Sequence, residues 1–414
     1  MRASSRPRRL VVVGASLAGL RVVEGARDAG FDGGVTLIGD ENLAPYDRTV
    51  LSKGFLEADL DPAPPLYRDA EALRRDREVE FLLGAPAHGL DLRSRTERAA
   101  GLTIDYDALV IATGVRPRRP EWAVDLDGVH VLRTVADARD LRSSLARSRH
   151  VVVVGGGFVG SEVASSARRL GREVTLVEAM QAPLAGALGL RAGRVCADLH
   201  RAHGTRVRCG VTVTALEGDA RVERVLLSDG SVIRADTVVV GVGARPNIEW
   251  TRGSGIAVGD GVECDASLRT SAPGVYAVGD VARWYNPFLG RRTRAEHWTS
   301  AVAQATAVAR EVAEGGSGEP HTSVPYFWSE WYGRRIQFAG EADADETVFV
   351  GSISRYDFVC LYRKGDRIAG ALTVGRKGAI ARYRKAVRGR GSWKQALEYA
   401  RSRVGEPLQG GTHA

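Results

Sequence analysis

The chain has 414 residues, 44% apolar and 26% charged, with 49 Gly. That composition is globular and excludes disordered and fibrous classes, while the length exceeds the roughly 250 to 300 residues of a single core and points to two or three domains. No apolar run approaches the roughly 20 residues of a membrane helix, so no membrane partner is expected. The four scattered Cys, without CxxC spacing, offer neither a disulfide framework nor a metal site and suit a reducing cytoplasm. Net charge is +8, yet only five of the 58 basic residues are Lys. So strong a bias toward Arg weakens charge as a sign of an acidic partner. It also singles out Lys53, the one Lys in the first 363 residues, as a place where a compact ammonium is needed.

In chain order, Arg8-Arg9 ahead of an apolar run has the look of a twin-Arg export signal. A strand, turn and helix starting at Leu10 explains the same letters and continues into Leu20, Val22 and Val23 at helical spacing. Residues 9–40 and 150–178 then repeat one pattern: an apolar β-branched run, a Gly-rich turn, an amphipathic helix and a second strand ending near an acid. This is the βαβ dinucleotide unit, twice. Small turn residues let backbone approach a pyrophosphate whose charge rests on the helix start, and the acid accepts from the ribose hydroxyls. The first copy offers Gly14, Ser16, Leu17 and Ala18, with Asp40 or Glu41 as its acid. The second offers Gly155, Gly157, Phe158 and Val159, Gly160 in the third small position, and Glu178.

Each copy is followed by the pattern D-x-h-h-h-x-x-G-x-R-P, at 107–117 and 236–246. A strand returning to the nucleotide would bring bare backbone at Ala112, Thr113 and Gly114, and at Gly243, close to the ligand. Residues 274–280 form a third strand delivered to Gly279-Asp280, where the Asp suits flavin ribityl hydroxyls and a helix is expected within a few residues. A Gly-rich linker at 315–320 precedes strands near 348–353, 358–363 and 368–374 and one or two helices, with loose residues at 410–414.

With these motifs in place the chain resembles the glutathione-reductase-like flavoproteins, and among them the oxygenase-coupled ferredoxin reductases of the putidaredoxin reductase type. Pro45-Tyr46-Asp47-Arg48 with Leu51-Ser52-Lys53 is similar to the family's P-Y-D-R-P-P-L-S-K stretch, Thr49-Val50 replacing the two prolines. The resemblance implies FAD contacts for Arg48, Lys53, Ala87, Arg133 and Trp298, the last packed on the flavin ring. It also implies that Trp328, within the aromatic stretch 326–333, lies across flavin and nicotinamide. Glu162 looks like the acid that reaches the nicotinamide amide, although a Glu near a helix start also has a plain dipole reading.

The implied architecture is α/β: a discontinuous FAD domain at 1–117 and 244–320, an NAD(P)H domain at 118–243, and a C-terminal α+β interface domain at 321–414. The implied activity is hydride transfer from NADH to FAD, with Lys53, Glu162 and Trp298 as catalytic residues, then single electrons to an acidic iron-sulfur ferredoxin that feeds a cytochrome-type monooxygenase or a Rieske dioxygenase. Glu178 favours NADH over NADPH, since a carboxylate repels a 2′-phosphate. No Cys precedes Cys196, so the dithiol of the disulfide reductases has no counterpart. A rubredoxin reductase is the nearest alternative. A regulatory flavoprotein of the apoptosis-inducing-factor kind is another, weakened because no basic tail with interleaved aromatics suggests nucleic acid. The sequence leaves the oligomeric state open.

Overall fold

The computed structural model describes residues 7–58, 61–376 and 378–404. The first six residues and the expected loose stretch at 410–414 lie outside the described residues. By contacts the chain divides into two units: Met1–Asp47, Pro64–Arg116 and Arg245–Ser323 form one, and Arg48–Ala63, Pro117–Ala244 and Val324–Ala414 the other. Residues 48–63 and the C-terminal stretch thus group with the second nucleotide fold.

The first unit is built on a five-stranded parallel sheet in the order Val275–Ala277, Ala108–Ile111, Arg9–Val13, Gly34–Ile38, Val79–Leu82. Its central strands read as unbroken Val, Leu and Ile because both faces are covered. Helices Leu17–Asp28 and Trp298–Glu314 pack on one another beside it. A three-stranded antiparallel meander, Ala87–Asp91, Thr96–Ala99 and Leu102–Asp105, completes the nucleotide fold.

The second unit repeats this plan, with parallel strands ordered Arg206–Cys209, Glu173–Glu178, His150–Val154, Thr237–Val240, Val129–His130 and a meander at Val213–Glu217, Arg224–Leu227 and Val232–Arg234. It also carries an antiparallel sheet in the order Tyr326–Trp331, Arg334–Gly340, Arg367–Val374, Asp357–Lys364, Glu346–Ser352, with helices Ile380–Arg388 and Trp393–Val404. The expected α/β architecture with a C-terminal α+β portion is what forms.

One local expectation changes. No helix follows Asp280 directly: Gly279–Val281 is a single 3-10 turn, strands Ala282–Asn286 and Arg291–Arg294 pair next, and the helix starts at Trp298. The reason is periodicity, since Ala282, Trp284 and Asn286 are buried while Arg283 and Tyr285 are not, the alternation of a strand. The aromatic stretch at 326–333 lies in a hairpin, turning at Tyr332 and Gly333, whose φ angles of +52° and +72° suit a primed turn.

One buried group in the first meander has consequences for stability. Glu97 has no exposed surface, and neither of its carboxylate oxygens has a partner. Burial pushes its pKa up from 4.5 to about 7. The folded protein therefore holds a proton that the unfolded chain releases, and stability falls as pH rises from 4.5 to about 7. A shift of this size is worth roughly 3 kcal/mol. Half-buried His321, lowered to about 4 by desolvation, gives the opposite slope below neutrality, so the test is a comparison of variants. Glu97→Gln should raise Tm relative to wild type at pH 7 and lose that advantage near pH 4.5; a constant difference across this range would refute the assignment.

Candidate functional site

In the first unit the carboxyl ends of the parallel strands converge on the start of helix Leu17–Asp28. Gly14 N–H donates to Ile38 O at 2.8 Å, Ala112 N–H to Val13 O at 2.7 Å, and Val278 N–H to Ile111 O at 3.0 Å. Gly14 has φ +124°, and a methyl there would run into the Ala112 carbonyl, so only Gly lets the turn pass this close to the returning strand. A Cβ on Gly279, at φ +74°, would sit 3.0 Å from that of Ala18, which places the Gly279-Asp280 turn against the same helix start. Gln304 Oε1 accepts from Gly279 N–H at 2.7 Å and fixes the turn.

Thr113 and Gly114 are fastened by Asn247: Thr113 Oγ1 donates to Asn247 O at 2.7 Å, and Asn247 Nδ2 donates to Thr113 O at 2.9 Å. Asp40 is exposed beyond the second strand, while Glu41 Oε2 accepts from the Tyr46 hydroxyl at 2.6 Å. Ala85 N–H donates to Gly39 O at 2.8 Å, bringing the strand that begins at Ala87 to this edge. Trp298 opens its helix and donates from Nε1 to the Tyr67 hydroxyl at 3.0 Å. The sequence reading missed Tyr67, whose phenol is pushed up to about 12 by burial. Small residues, bare backbone and unsatisfied first-turn amides at the carboxyl ends of parallel strands fit the ADP half of FAD.

In the second unit Gly155, at φ +99°, takes the place that Gly14 has in the first; a methyl would strike the Gly241 carbonyl. Gly157 has open space where a Cβ would stand and caps helix Phe158–Arg169. Beside it lies a cavity of about 360 Å³ lined by Gly155, Gly157, Glu178, Trp122, Val211 and Val242, among others. Backbone amides hold the Glu178 carboxylate, with Gly156 N–H on Oε2 at 2.6 Å and Met180 N–H on Oε1 at 2.7 Å. Open turn, apolar walls and a fixed carboxylate fit an NAD nucleoside. Gly243, at φ +97°, accepts at its carbonyl from Arg118 N–H at 2.9 Å. Val159 is exposed, and Phe158 meets Phe327 edge-on with centroids 4.4 Å apart.

Helical spacing gives helix Phe158–Arg169 a face of Phe158, Glu162, Ser165, Ser166 and Arg169, and the second unit builds a polar cluster on it. Glu162 is 5% exposed. Its Oε2 meets Lys53 Nζ at 2.7 Å and accepts from Ser52 Oγ at 2.5 Å, and its Oε1 accepts from Ser329 Oγ at 2.5 Å. Lys53 Nζ also donates to Thr49 O at 2.7 Å. Ser166 Oγ bonds Ser52 O at 3.1 Å and Glu57 Oε1 at 2.7 Å, and Arg169 pairs with Glu57 at 3.0 Å. Glu162 therefore answers a lysine, and the dipole reading is unnecessary. Lys53 and Glu162, two of the candidate site residues, are brought together as an ion pair, a pairing not foreseen from the sequence; nor were Ser52, Ser329 and Glu57 foreseen. Nearby Arg48 Nη1 donates to Arg133 O at 3.0 Å, and Trp328 stacks with Tyr326 at 6.3 Å.

Burial lifts the thiols of Cys196, Cys264 and Cys360 to about 12 and raises that of Cys209. All four are free and protonated at neutral pH, so none serves as a thiolate nucleophile. No grouping of His, Cys, Asp and Glu among the described residues could hold a metal ion.

Two nucleotide folds with an ion pair buried beside the second define a pyridine-nucleotide flavoprotein. Residues 8–305 match the pyridine nucleotide-disulphide oxidoreductase family and residues 326–399 the reductase C-terminal family. The chain belongs to the pyridine nucleotide-disulphide oxidoreductase family and is an oxidoreductase using FAD and NAD(H). It is 37% identical to rhodocoxin reductase of Rhodococcus erythropolis, over 89% of this chain and 86% of that one. It is 38% identical to the ferredoxin--NAD(+) reductase component of the biphenyl dioxygenase system of Paraburkholderia xenovorans, over 82% and 83%. The solved ferredoxin reductase for the CYP199A2 system of Rhodopseudomonas palustris superposes with a TM-score of 0.89 at 32% identity, covering 93% of this chain and 95% of that one.

Lys53→Met should leave the Glu162 carboxylate buried with hydroxyl donors alone, a loss of roughly 3 kcal/mol by the cost of breaking a buried ion pair. Adding Glu162→Gln to it should recover most of that loss. Urea unfolding of the four members of this cycle reads the coupling, and strictly additive effects would show that the pair is not energetically joined.

Proposed function

We propose that the chain is a cytoplasmic NADH:ferredoxin reductase, delivering single electrons to an acidic iron-sulfur ferredoxin that serves a cytochrome-type monooxygenase or a Rieske dioxygenase. The observation that carries this reading is the state of the thiols. A family whose name invokes a disulfide is represented here by a chain whose four Cys are free, and three of them are fully buried. With no dithiol to receive them, electrons leave from the flavin itself. FAD, when bound, supplies the conversion from hydride to one-electron chemistry.

The chain's own residues bind and orient. Gly14, Ser16, Leu17 and Ala18, with Ala112, Thr113, Gly114, Gly279 and Asp280, take the FAD pyrophosphate and ribityl chain, and Asp40 and Ala87 lie toward its adenosine. By family pattern Arg48, Lys53, Arg133, Trp298 and Trp328 face the same cofactor. Gly155, Gly157, Phe158, Val159 and Gly243 receive NADH. Glu178 accepts from two ribose hydroxyls, its lone pairs already oriented by Gly156 and Met180 amides. A 2′-phosphate would bring two anions together. The ferredoxin encounter is small and brief, and the excess of basic residues steers it. Free cysteines, and the absence of any helix long and apolar enough to cross a membrane among the described residues, support the cytoplasmic assignment.

Purified holoenzyme should favour NADH over NADPH in kcat/KM by at least about tenfold, the ratio that about 1.4 kcal/mol gives. A preference for NADPH would overturn the role of Glu178. In an acceptor panel the enzyme should reduce ferredoxins faster than rubredoxin, with a rate that falls as salt rises. A rubredoxin preference would move the function to the neighbouring reductase class.

A further inference from the structure

Ser329 is a buried hydroxyl in the C-terminal sheet, with no exposed surface, and it joins two groups that the nucleotide chemistry alone does not explain. Trp331 Nε1 donates to Ser329 Oγ at 2.8 Å, and Ser329 Oγ lies 2.5 Å from Glu162 Oε1. The direction of this chain is fixed by chemistry. An indole N–H can only donate, so it occupies a lone pair of the serine and leaves the hydroxyl proton for the carboxylate. Trp331 is itself held in place: His200 stacks on it at 5.0 Å, and His200 Nδ1 lies 2.8 Å from the Tyr332 hydroxyl. Tyr332 N–H donates to Ser165 Oγ at 2.7 Å, on the same helix face as Glu162.

Glu162 has then one hydroxyl donor on Oε1 and a hydroxyl plus an ammonium on Oε2. We propose that Ser329 is a positioning residue for the Lys53–Glu162 pair: oriented by Trp331, it holds Glu162 turned so that Oε2 faces Lys53. The C-terminal sheet thereby sets the orientation of the acid that pairs with Lys53. This rests on the reading of Lys53 and Glu162 as residues of the hydride-transfer centre. Without the Ser329 hydroxyl, Oε1 loses its one donor, the carboxylate can turn, and the ammonium is freed to move.

Two measurements on the oxidised and NADH-mixed holoenzyme test this. In wild type and in Ser329→Ala, rapid mixing with NADH gives the rate of flavin bleaching against NADH concentration. The limiting rate should fall about tenfold in the variant with KM for NADH little changed. Ser329→Thr, which keeps the hydroxyl, should restore the wild-type rate. Independently of turnover, the indole 15N–1H resonance of Trp331, assigned by its loss in Trp331→Phe, should move on Glu162→Gln in the wild-type background and not in the Ser329→Ala background. Should Ser329→Ala fail to fold, Trp331→Phe serves in its place and should lower the limiting rate by less. A Ser329→Ala enzyme with the wild-type rate, and a Trp331 resonance that Glu162→Gln leaves unmoved in the wild-type background, would overturn the proposal. Wild-type protein whose flavin is not bleached by NADH would instead overturn the functional reading beneath it.

Discussion

A carboxylate at 5% exposure cannot stay charged without donors, and most of what is distinctive in the second unit follows from meeting that need at Glu162. Its donors come from two separate stretches of chain, Ser52 and Lys53 from the insert at Arg48–Ala63 and Ser329 from the C-terminal sheet, which meet on the helix that carries the Glu itself. Removing one partner of such a pair costs more than the pair contributes, because the remaining charge stays buried. The carboxylate therefore acts as a register mark. It accepts only an arrangement in which insert, helix and sheet arrive together, which accounts for residues 48–63 leaving the fold they are continuous with in sequence and joining the other.

The legible parts of the chain were those where one physical rule acts over consecutive residues. Val151–Val154 and Leu109–Ile111 read as buried parallel strands because nothing but apolar β-branched and aliphatic side chains survives with both faces covered. Gly14 and Gly155 read as turns because a neighbouring carbonyl leaves no room for a Cβ. Lys53 and Glu162 were singled out, the first by composition and both by family pattern, but their partners were not. Ser52, Ser329 and Ser166 are ordinary in sequence and become informative only when 110 to 167 residues of separation close to hydrogen-bond distance. The run Ser161-Glu162-Val163-Ala164-Ser165-Ser166 held the one available signal, since four small or acidic polar side chains in six residues are buried within a helix. An amphipathic reading assigns such residues to solvent. The strand at Ala282–Asn286 was missed for a similar reason: a Gly-Asp turn suggests a helix start, whereas the alternation of Ala, Trp and Asn toward the core appears only once the burial of each is known.

Thiol chemistry separates this chain from part of its own family. Desolvation opposes the thiolate, and three of the four thiols are raised to about 12, so less than about one part in ten thousand of each is ionised at pH 7. Their positions explain it: Cys196 and Cys360 sit in the core shared by the C-terminal sheet and helix Leu190–Ala202, and Cys264 lies in the core of the first unit. Each behaves as a small apolar side chain.

Charge is the property that composition alone reads worst here. Many of the arginines are already spent within their own unit, as Arg116 is on Glu249, Arg269 on Glu311 and Arg208 on Asp229. Each such pair cancels one positive and one negative charge, so what a distant ferredoxin would meet is the excess of 58 basic over 50 acidic residues, the net +8, and not the full count of arginines. Lys53 is the contrasting case. Its ammonium is also paired, but with a buried carboxylate whose other oxygen accepts from Ser329, so the pair is far less open to screening by salt than the surface arginines are. The surface charge can steer a partner, and the buried pair instead fixes which stretches of chain meet.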